Sequence, residues 1–473
     1  MSIIAQLALT SWFAVAVIVF SEFRGSRGIV ICMVLGWLTL PCAELNVPVL
    51  PNISKAAVTA LGTMLAVIIL EPRMFLRLRP HWIDIPIIVY CLCGIPTALS
   101  NGLGVREGVS CVIEAVYLWG FPYLLGRAAC RSLADIRFIA LSIVVGAIGY
   151  VAPCFVEMRL SPHLHVWLYG FRPLNWNAEK LGGYRPSVFM YDGLELGFWM
   201  AVAAMSAYWL WRAQAIKKIW VMPMSFWVVV LMVTSVLCRS TGATLLTIGG
   251  IIVLEMTRRF RSSWPFVMLT MTVFVYMGLR INDVPFDFTS QLAAKFSAER
   301  AQSLQFRLDN EDILIDKAMQ RPLLGWGRFG RNRVYNEEGR DISITDGLWV
   351  LLLGIFGFVG LGAFFGAFLI PSVALIVRLR KLRIPSAFAG APQVIAMIMI
   401  LYMLDSLLNG MENVVYPLCA GALSSLMTVS SARIRREVID SQSPAIGKPQ
   451  KRQIRKLSPG HIIELTRPST LVS

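Results

Sequence analysis

The residues of this chain best suited to chemistry are three arginines, Arg185, Arg239 and Arg307, each in a polar segment next to apolar sequence. Arginine stays protonated and grips phosphate oxygens with two hydrogen bonds at once, so the chemistry they offer is the holding of an anion. Arg239 lies between the apolar runs 219–237 and 241–257, in a hairpin of only a few residues. An arginine at membrane depth is costly and usually has an anionic partner. Snorkelling to the headgroups, or an ion pair within a bundle, would account for the same residues. Arg300 stands seven residues before Arg307 and would share its helix face, unless it is a solvated surface residue. Pro322 is followed by Gly325-Trp326-Gly327. Such a turn uses glycine for positive φ. Its backbone amides are also a possible meeting point for a phosphate or sugar. No Gly-Lys-Ser/Thr follows, so nucleotide binding of the Walker type is not expected. His163 and His165 are the remaining candidates for imidazole chemistry. Trp167, Tyr169, Trp176 and Tyr184 are candidates for stacking on sugar faces, or simply a membrane-interface belt.

Only a membrane bundle can position these groups. Apolar residues make up 56% of the 473 and charged residues 15%, whereas soluble domains carry about 25% charged residues. The mean hydropathy is +0.64. Apolar runs fall near 3–20, 28–41, 54–70, 83–99, 107–126, 136–154, 187–210, 219–237, 241–257, 264–280, 346–377, 391–408 and 413–431. That pattern predicts an all-α polytopic bundle of about 12–14 spanning helices. The run 346–377 reads either as one long tilted helix or as two short ones, and 28–41 is short for a span. The net charge of +16 would suggest nucleic acid in a soluble protein. Here the basic residues follow every odd-numbered run, so they predict orientation instead: N-terminus outside, C-terminus cytoplasmic. Cys32, Cys91, Cys93, Cys111, Cys154 and Cys419 have no zinc or disulfide spacing and read as small buried hydrophobes.

Two large loops fall on the outer side, 155–186 and 281–345. In the second, nine Lys/Arg face ten Asp/Glu, so it reads as solvated and structured rather than as a basic patch. Leu304, Leu308, Ile315 and Met319 predict an amphipathic helix there, lying on the membrane or on the bundle. The polar, basic tail 440–473 reads as disordered. Glu114, Glu195 and Asp405 are the main acids within apolar runs and form no inverted repeat, which weighs against a secondary transporter.

The stretch Arg307–Gly360 reads RLDNEDILIDKAMQRPLLGWGRFG, a polar insert, then SITDGLWVLLLGIFGFVG. With YRPSVFMYDGLELGFWMA (184–201) and CRSTGATLLTIGG (238–250), it resembles the O-antigen ligase and polysaccharide polymerase family of bacterial inner membranes. The resemblance covers roughly 180–375. It implies a metal-independent glycosyltransferase without cofactor, of the class built on membrane helices (GT-C), with a large periplasmic loop. The substrate implied is a glycan on a polyprenyl diphosphate, held in the bilayer at the periplasmic face. A flippase and a chain-length regulator are the protein partners it implies. Arg185, Arg239 and Arg307, with Arg300 beside them, would hold the diphosphate, Arg239 and Arg307 aiming at the leaving oxygen. Where the family has a histidine ahead of the glycine-bearing helix, this chain has Asp346, followed by Gly347. Asp346 is therefore the candidate general base, or else a helix cap or an ion-pair partner. The departure favours a polymerase over a ligase that transfers glycan to lipid A-core. The expected organisation is 1–180, N-terminal transmembrane helices; 181–375, the ligase/polymerase-like core including the periplasmic loop 281–345; 376–432, C-terminal transmembrane helices; and 433–473, a cytoplasmic disordered basic tail.

Overall fold

A computed structural model describes residues 2–46, 51–172, 179–180, 182–284, 298–343 and 347–442. The chain forms helices α1 (Ile3–Phe23), α2 (Gly25–Thr39), α3 (Lys55–Leu70), α4 (Ile85–Leu92), α5 (Gly94–Ser100), α6 (Val105–Ala115), α7 (Phe121–Ala129), α8 (Leu133–Leu160) and α9 (Leu164–Tyr169). After these come α10 (Gly193–Arg212), α11 (Met224–Leu237), α12 (Thr241–Arg259), α13 (Trp264–Ile281), α14 (Ala298–Met319), α15 (Leu348–Lys381), α16 (Ser386–Asp405), α17 (Val415–Thr428) and α18 (Ser431–Gln442). The described strands are three two-residue antiparallel pairs. The fold is all-α, as the apolar runs predict.

Among the described residues six helices are long and apolar enough to cross a membrane, α6 and α7 counting as one, and up to eight if two bent helix pairs are each one span. The chain is a multi-pass membrane protein. Thirteen runs were expected; three of the others are short, two are bent pairs, and α10 and α12 have the length but carry too many polar residues. The run 28–41 is the 15-residue α2, 54–70 the 16-residue α3, and 219–237 the 14-residue α11. Each falls below the roughly 17 residues that cross hydrocarbon unaided. The run 83–99 is a pair bent by 40° between α4 and α5. α16 is apolar all round and lies at the centre, with Val394 to Met403 all buried. All nine cysteines are free and buried, the expected hydrophobes among them.

α15 resolves the two readings of 346–377. It is one element with a break, at Gly357 (φ 64°, ψ −165°). That conformation is open essentially to glycine alone. An unbroken helix would bond Phe358 to Gly354 and Val359 to Ile355. Instead the Pro322–Gly327 segment enters the gap. Phe358 N–H donates to the Pro322 carbonyl (2.7 Å) and Val359 N–H to that of Leu323 (3.2 Å). Trp326 N–H donates to the Gly354 carbonyl (2.8 Å) and Gly327 N–H to that of Ile355 (3.0 Å). The four groups the break releases are all satisfied by this clasp, which is the condition for irregular backbone in an apolar bundle. α5 holds the clasp from outside: Thr97 Oγ1 donates to the Leu324 carbonyl (2.7 Å) and Asn101 Nδ2 to that of Gly325 (2.9 Å).

α14 packs on α15, burying Leu308, Leu314, Ile315 and Ala318. The expected amphipathic helix is thus docked on the bundle through Leu308 and Ile315, whereas Met319 is 40% exposed and the Leu304 side chain lies outside the described residues. Its anchor is polar. Glu311, only 3% exposed, accepts from Tyr276 Oη (2.8 Å), Arg280 Nε (3.2 Å) and Trp349 Nε1. Arg280 also meets Asp312 (2.6 Å) and the Leu308 carbonyl (2.8 Å). Burial pushes the Glu311 pKa up, and its three donors pull it back. Removing one member of a buried pair strands the other. Glu311→Gln is therefore expected to cost about 3 kcal/mol, the low end for a broken buried pair because Asp312 still partners Arg280. A melting curve in detergent measures this, and an unchanged midpoint would count against the anchor.

Candidate functional site

The anchored helix presents Arg307 one turn before Glu311 and on the same face. Its Nη1 donates to the Leu408 carbonyl and to Asn409 Oδ1, both at 3.2 Å. Asn409 Nδ2 in turn donates to Asp405 Oδ1 (3.0 Å) at the end of α16. Arg239 occupies the tight turn from α11 to α12, with φ +56°. A non-glycine residue in that region costs on the order of 1 kcal/mol or more and marks a conformation held by its surroundings. Its guanidinium packs against Gly183, where a Cβ would collide with it. Arg185 Nη2 donates to the Arg239 carbonyl (2.8 Å). The Arg185 chain itself lies against Gly193 at the start of α10. Burial lowers the Arg185 pKa; Asp192 acts to raise it, and the positive charge of Arg307 acts to lower it further. The three arginines come from segments more than fifty residues apart in sequence and share one neighbourhood.

Arg300 lies on α14, and its side chain is outside the described residues, as is the whole of Asp346. The cap position of α15 is held by Gly347. The glycine-rich turn requires a correction. The amides of Trp326 and Gly327, offered above as a possible phosphate site, donate to the carbonyls of the α15 break. The histidines require another. His165 is 2% exposed, with Nε2 accepting from Cys42 N–H (3.1 Å) and Nδ1 facing the Phe171 carbonyl (3.0 Å). Both ring nitrogens are engaged, and burial holds the pKa below the usual histidine range. His163 stacks on the exposed Trp167 and meets Arg172. Tyr169 is core, its hydroxyl donating to the Thr39 carbonyl. Tyr184 sits half-buried, and Trp176 is outside the described residues.

Acids gather beside the arginines. Asp192 caps α10, accepting from the amides of Leu194 (2.9 Å) and Glu195 (2.8 Å). Glu195 Oε2 accepts from Tyr191 N–H (3.0 Å), with buried Lys55 nearby. Arg185 Nε, Glu195 Oε1, Asp405 Oδ2 and Asn413 Nδ2 are buried with no hydrogen-bond partner among the described residues. Arg185, Glu195 and Asp405 all have Asp192 as a charged neighbour, and buried polar atoms left orphaned together call for a polar partner. Sequence reasoning missed Glu412, which stands in the short polar link between α16 and α17 that Arg307 grips through Leu408 and Asn409. Its side chain is open to solvent. Desolvation, then the charge of Glu114, push its pKa up to about 7, against the pull of Arg328. Arg328, beside the clasp, pairs with both oxygens of Glu114 on α6. The signal available in sequence was an acid in Asn409-Gly410-Met411-Glu412-Asn413, the only acid in that link.

No protein family described by its sequence pattern matches this chain, and no curated protein matches it significantly. The class the fold defines is therefore the broad one, a multi-pass all-α membrane protein.

Proposed function

We propose that the chain is a membrane glycosyltransferase that polymerises oligosaccharide repeat units carried on polyprenyl diphosphate, at the outer face of a bacterial inner membrane. The observation that carries this reading is the gathering of Arg185, Arg239 and Arg307 in one place, with Glu412 on the link that Arg307 grips through Leu408 and Asn409. A diphosphate leaving group gains negative charge as the sugar bond breaks. Fixed guanidinium groups stabilise that charge without reorganising. The hydroxyl of an acceptor sugar attacks the anomeric carbon and Glu412 takes its proton. The bond to the diphosphate oxygen then breaks, and the diphosphate leaves with the electron pair. Glu412 is assigned this role because it is reached by solvent and is poised near neutral pH, where a general base works best.

The test is incubation of the detergent-purified protein with lipid-linked repeat units, following glycan length on a gel. A ladder is expected. Intact substrate, with glycan transferred only once lipid A-core is added, would replace polymerase by ligase. Intact substrate under both conditions would overturn transfer chemistry. A transporter reading would then take its place, supported by the Arg328–Glu114 pair and by buried Lys55 next to Glu195. The acid has its own test. A base must lose its proton to act, so kcat is expected to rise with pH through about 7 and to level off above it. Glu412→Gln should lower the plateau by about 10²-fold or more and remove the rise. A rise that survives the substitution would assign the titration to another group.

A further inference from the structure

The opposite end of the bundle carries a cavity system distant from the arginine trio. α17 runs from Val415, next to the Glu412 link, to Thr428, and Thr428 lines a pocket of about 360 Å³ with Arg77, Arg79, Arg127 and Arg131. Of these cations, Arg127 is answered by Asp84 (2.9 Å). Arg77, Arg79 and Arg131 form no ion pair among the described residues. The nearby acid, Asp135, is occupied by the hydroxyls of Ser26 (2.6 Å) and Ser132 (2.6 Å) and by the Arg131 amide (3.0 Å). Arg433 adds a further positive charge. So many like charges at one spot are held at a cost unless an anion joins them.

The pocket does not end there. It shares Leu78, Arg79 and Arg127 with a cavity of about 820 Å³ between α4 and α7. That cavity is walled by Ile85, Ile88, Leu92, Phe121 and Leu124 and opens on the lipid-facing side, where Ile85, Ile88 and Leu92 are each about half exposed. A volume of that size, within the roughly 300–1,000 Å³ of ligand pockets, has room for an acyl chain. An apolar groove in a membrane wall, continuous with an arginine pocket at headgroup depth, matches one kind of occupant. A free anion would leave the groove without a role, and a neutral lipid would leave the arginines unanswered.

We propose that this composite cavity holds one anionic phospholipid of the adjoining leaflet, its phosphate among Arg77, Arg79 and Arg131 and an acyl chain along the groove between α4 and α7. By the charge asymmetry of the loops this is the cytoplasmic leaflet. Basic pockets between membrane helices on that side are suited to acidic headgroups. The bound lipid would tie α4 to α7, the two halves of the hairpin whose far end grips the clasp through Thr97 and Asn101 and pairs Glu114 with Arg328.

The experiment is native mass spectrometry of the full chain released from nanodiscs of phosphatidylglycerol mixed with phosphatidylcholine. Wild type is expected to retain one phosphatidylglycerol in strong preference to phosphatidylcholine. At the strength of a surface arginine towards acidic lipid, removing three should weaken that preference by about a hundredfold. The variant is Arg77→Ala/Arg79→Ala/Arg131→Ala, with Arg77→Ala/Arg79→Ala as a milder form because both side chains are exposed. Melting in pure phosphatidylcholine checks that each variant folds. Ile88→Trp, on the lipid-facing wall, fills the groove and should also release the lipid. Equal retention of the two lipids by wild type, or undiminished retention by the folded arginine variants, would overturn the proposal. So would inorganic phosphate displacing the lipid while Ile88→Trp has no effect, because the occupant would then be a free anion.

Discussion

Alanine at Arg239 or at Arg307 is expected to cut the rate of glycan transfer by about 10²–10³-fold, the usual loss when one fixed donor to a developing anion is removed. The two side chains reach the site differently. Arg239 is set by a strained turn and rests on Gly183. Arg307 is set by a helix anchored through Glu311 and touches Asn409. Neither arrangement leaves much freedom, so lysine should not restore the rate where a planar, two-pronged donor is needed. Arg185→Ala should show a mixed effect. It removes a cation and also the donor to the Arg239 carbonyl, so Arg239 itself loses support. The loss from the Arg185→Ala/Arg239→Ala double variant should fall short of the product of the two single losses, as happens when residues act as a unit. Initial rates with a lipid-linked donor measure all of this. Folded variants that elongate glycan at the wild-type rate would remove the arginines from the mechanism.

The arginines were legible because membrane sequence makes charge conspicuous. Arg239 interrupts two apolar runs on a side where basic residues are scarce, and an arginine there asks for a reason. Its proximity to Arg185 was not legible, since it depends on how α10 and α11 pack. Glu412 escaped notice for a related cause. Between α16 and α17 it looks like one polar residue of a short link, and only the fold brings Arg307 onto that link. The bundle was readable in outline because apolar runs mark helices one by one. Their lengths misled where a run was split or cut short, as in α2 and in the bent pair α4 and α5. The clasp was the least readable feature. Backbone amides carry no side-chain signature, so the turn was legible from its glycines, but the partners of Trp326 and Gly327 were not.

The same clasp carries the largest expected effect on stability, through Gly357→Ala. A Cβ at Gly357 meets two obstacles. The backbone conformation is one that only glycine adopts readily, which costs about 1–3 kcal/mol. The added carbon would also strike the backbone of Pro322 and Leu323, the part of the clasp that accepts from Phe358 and Val359. Healing the helix instead would restore its own bonds only by expelling the clasp. Leu324 and Gly325 would then lose Thr97 and Asn101, and Arg328 would be drawn away from Glu114. Each buried backbone group left unpaired costs about 1–3 kcal/mol, so several together approach the whole stability of an ordinary fold, about 5–15 kcal/mol. Gly357→Ala should therefore yield little folded protein in detergent. Gly362→Ala, five residues on where a Cβ meets open space, should melt as wild type does. The reciprocal variant Gly325→Ala, whose Cβ would strike Ile355 and Phe356, should behave as Gly357→Ala does. If Gly357→Ala and Gly325→Ala both melted with Gly362→Ala, the break would be incidental. If they fall together while Gly362→Ala holds, the glycines of this helix have different work: Gly357 admits the clasp, and the clasp fixes Arg328 against Glu114 beside Glu412.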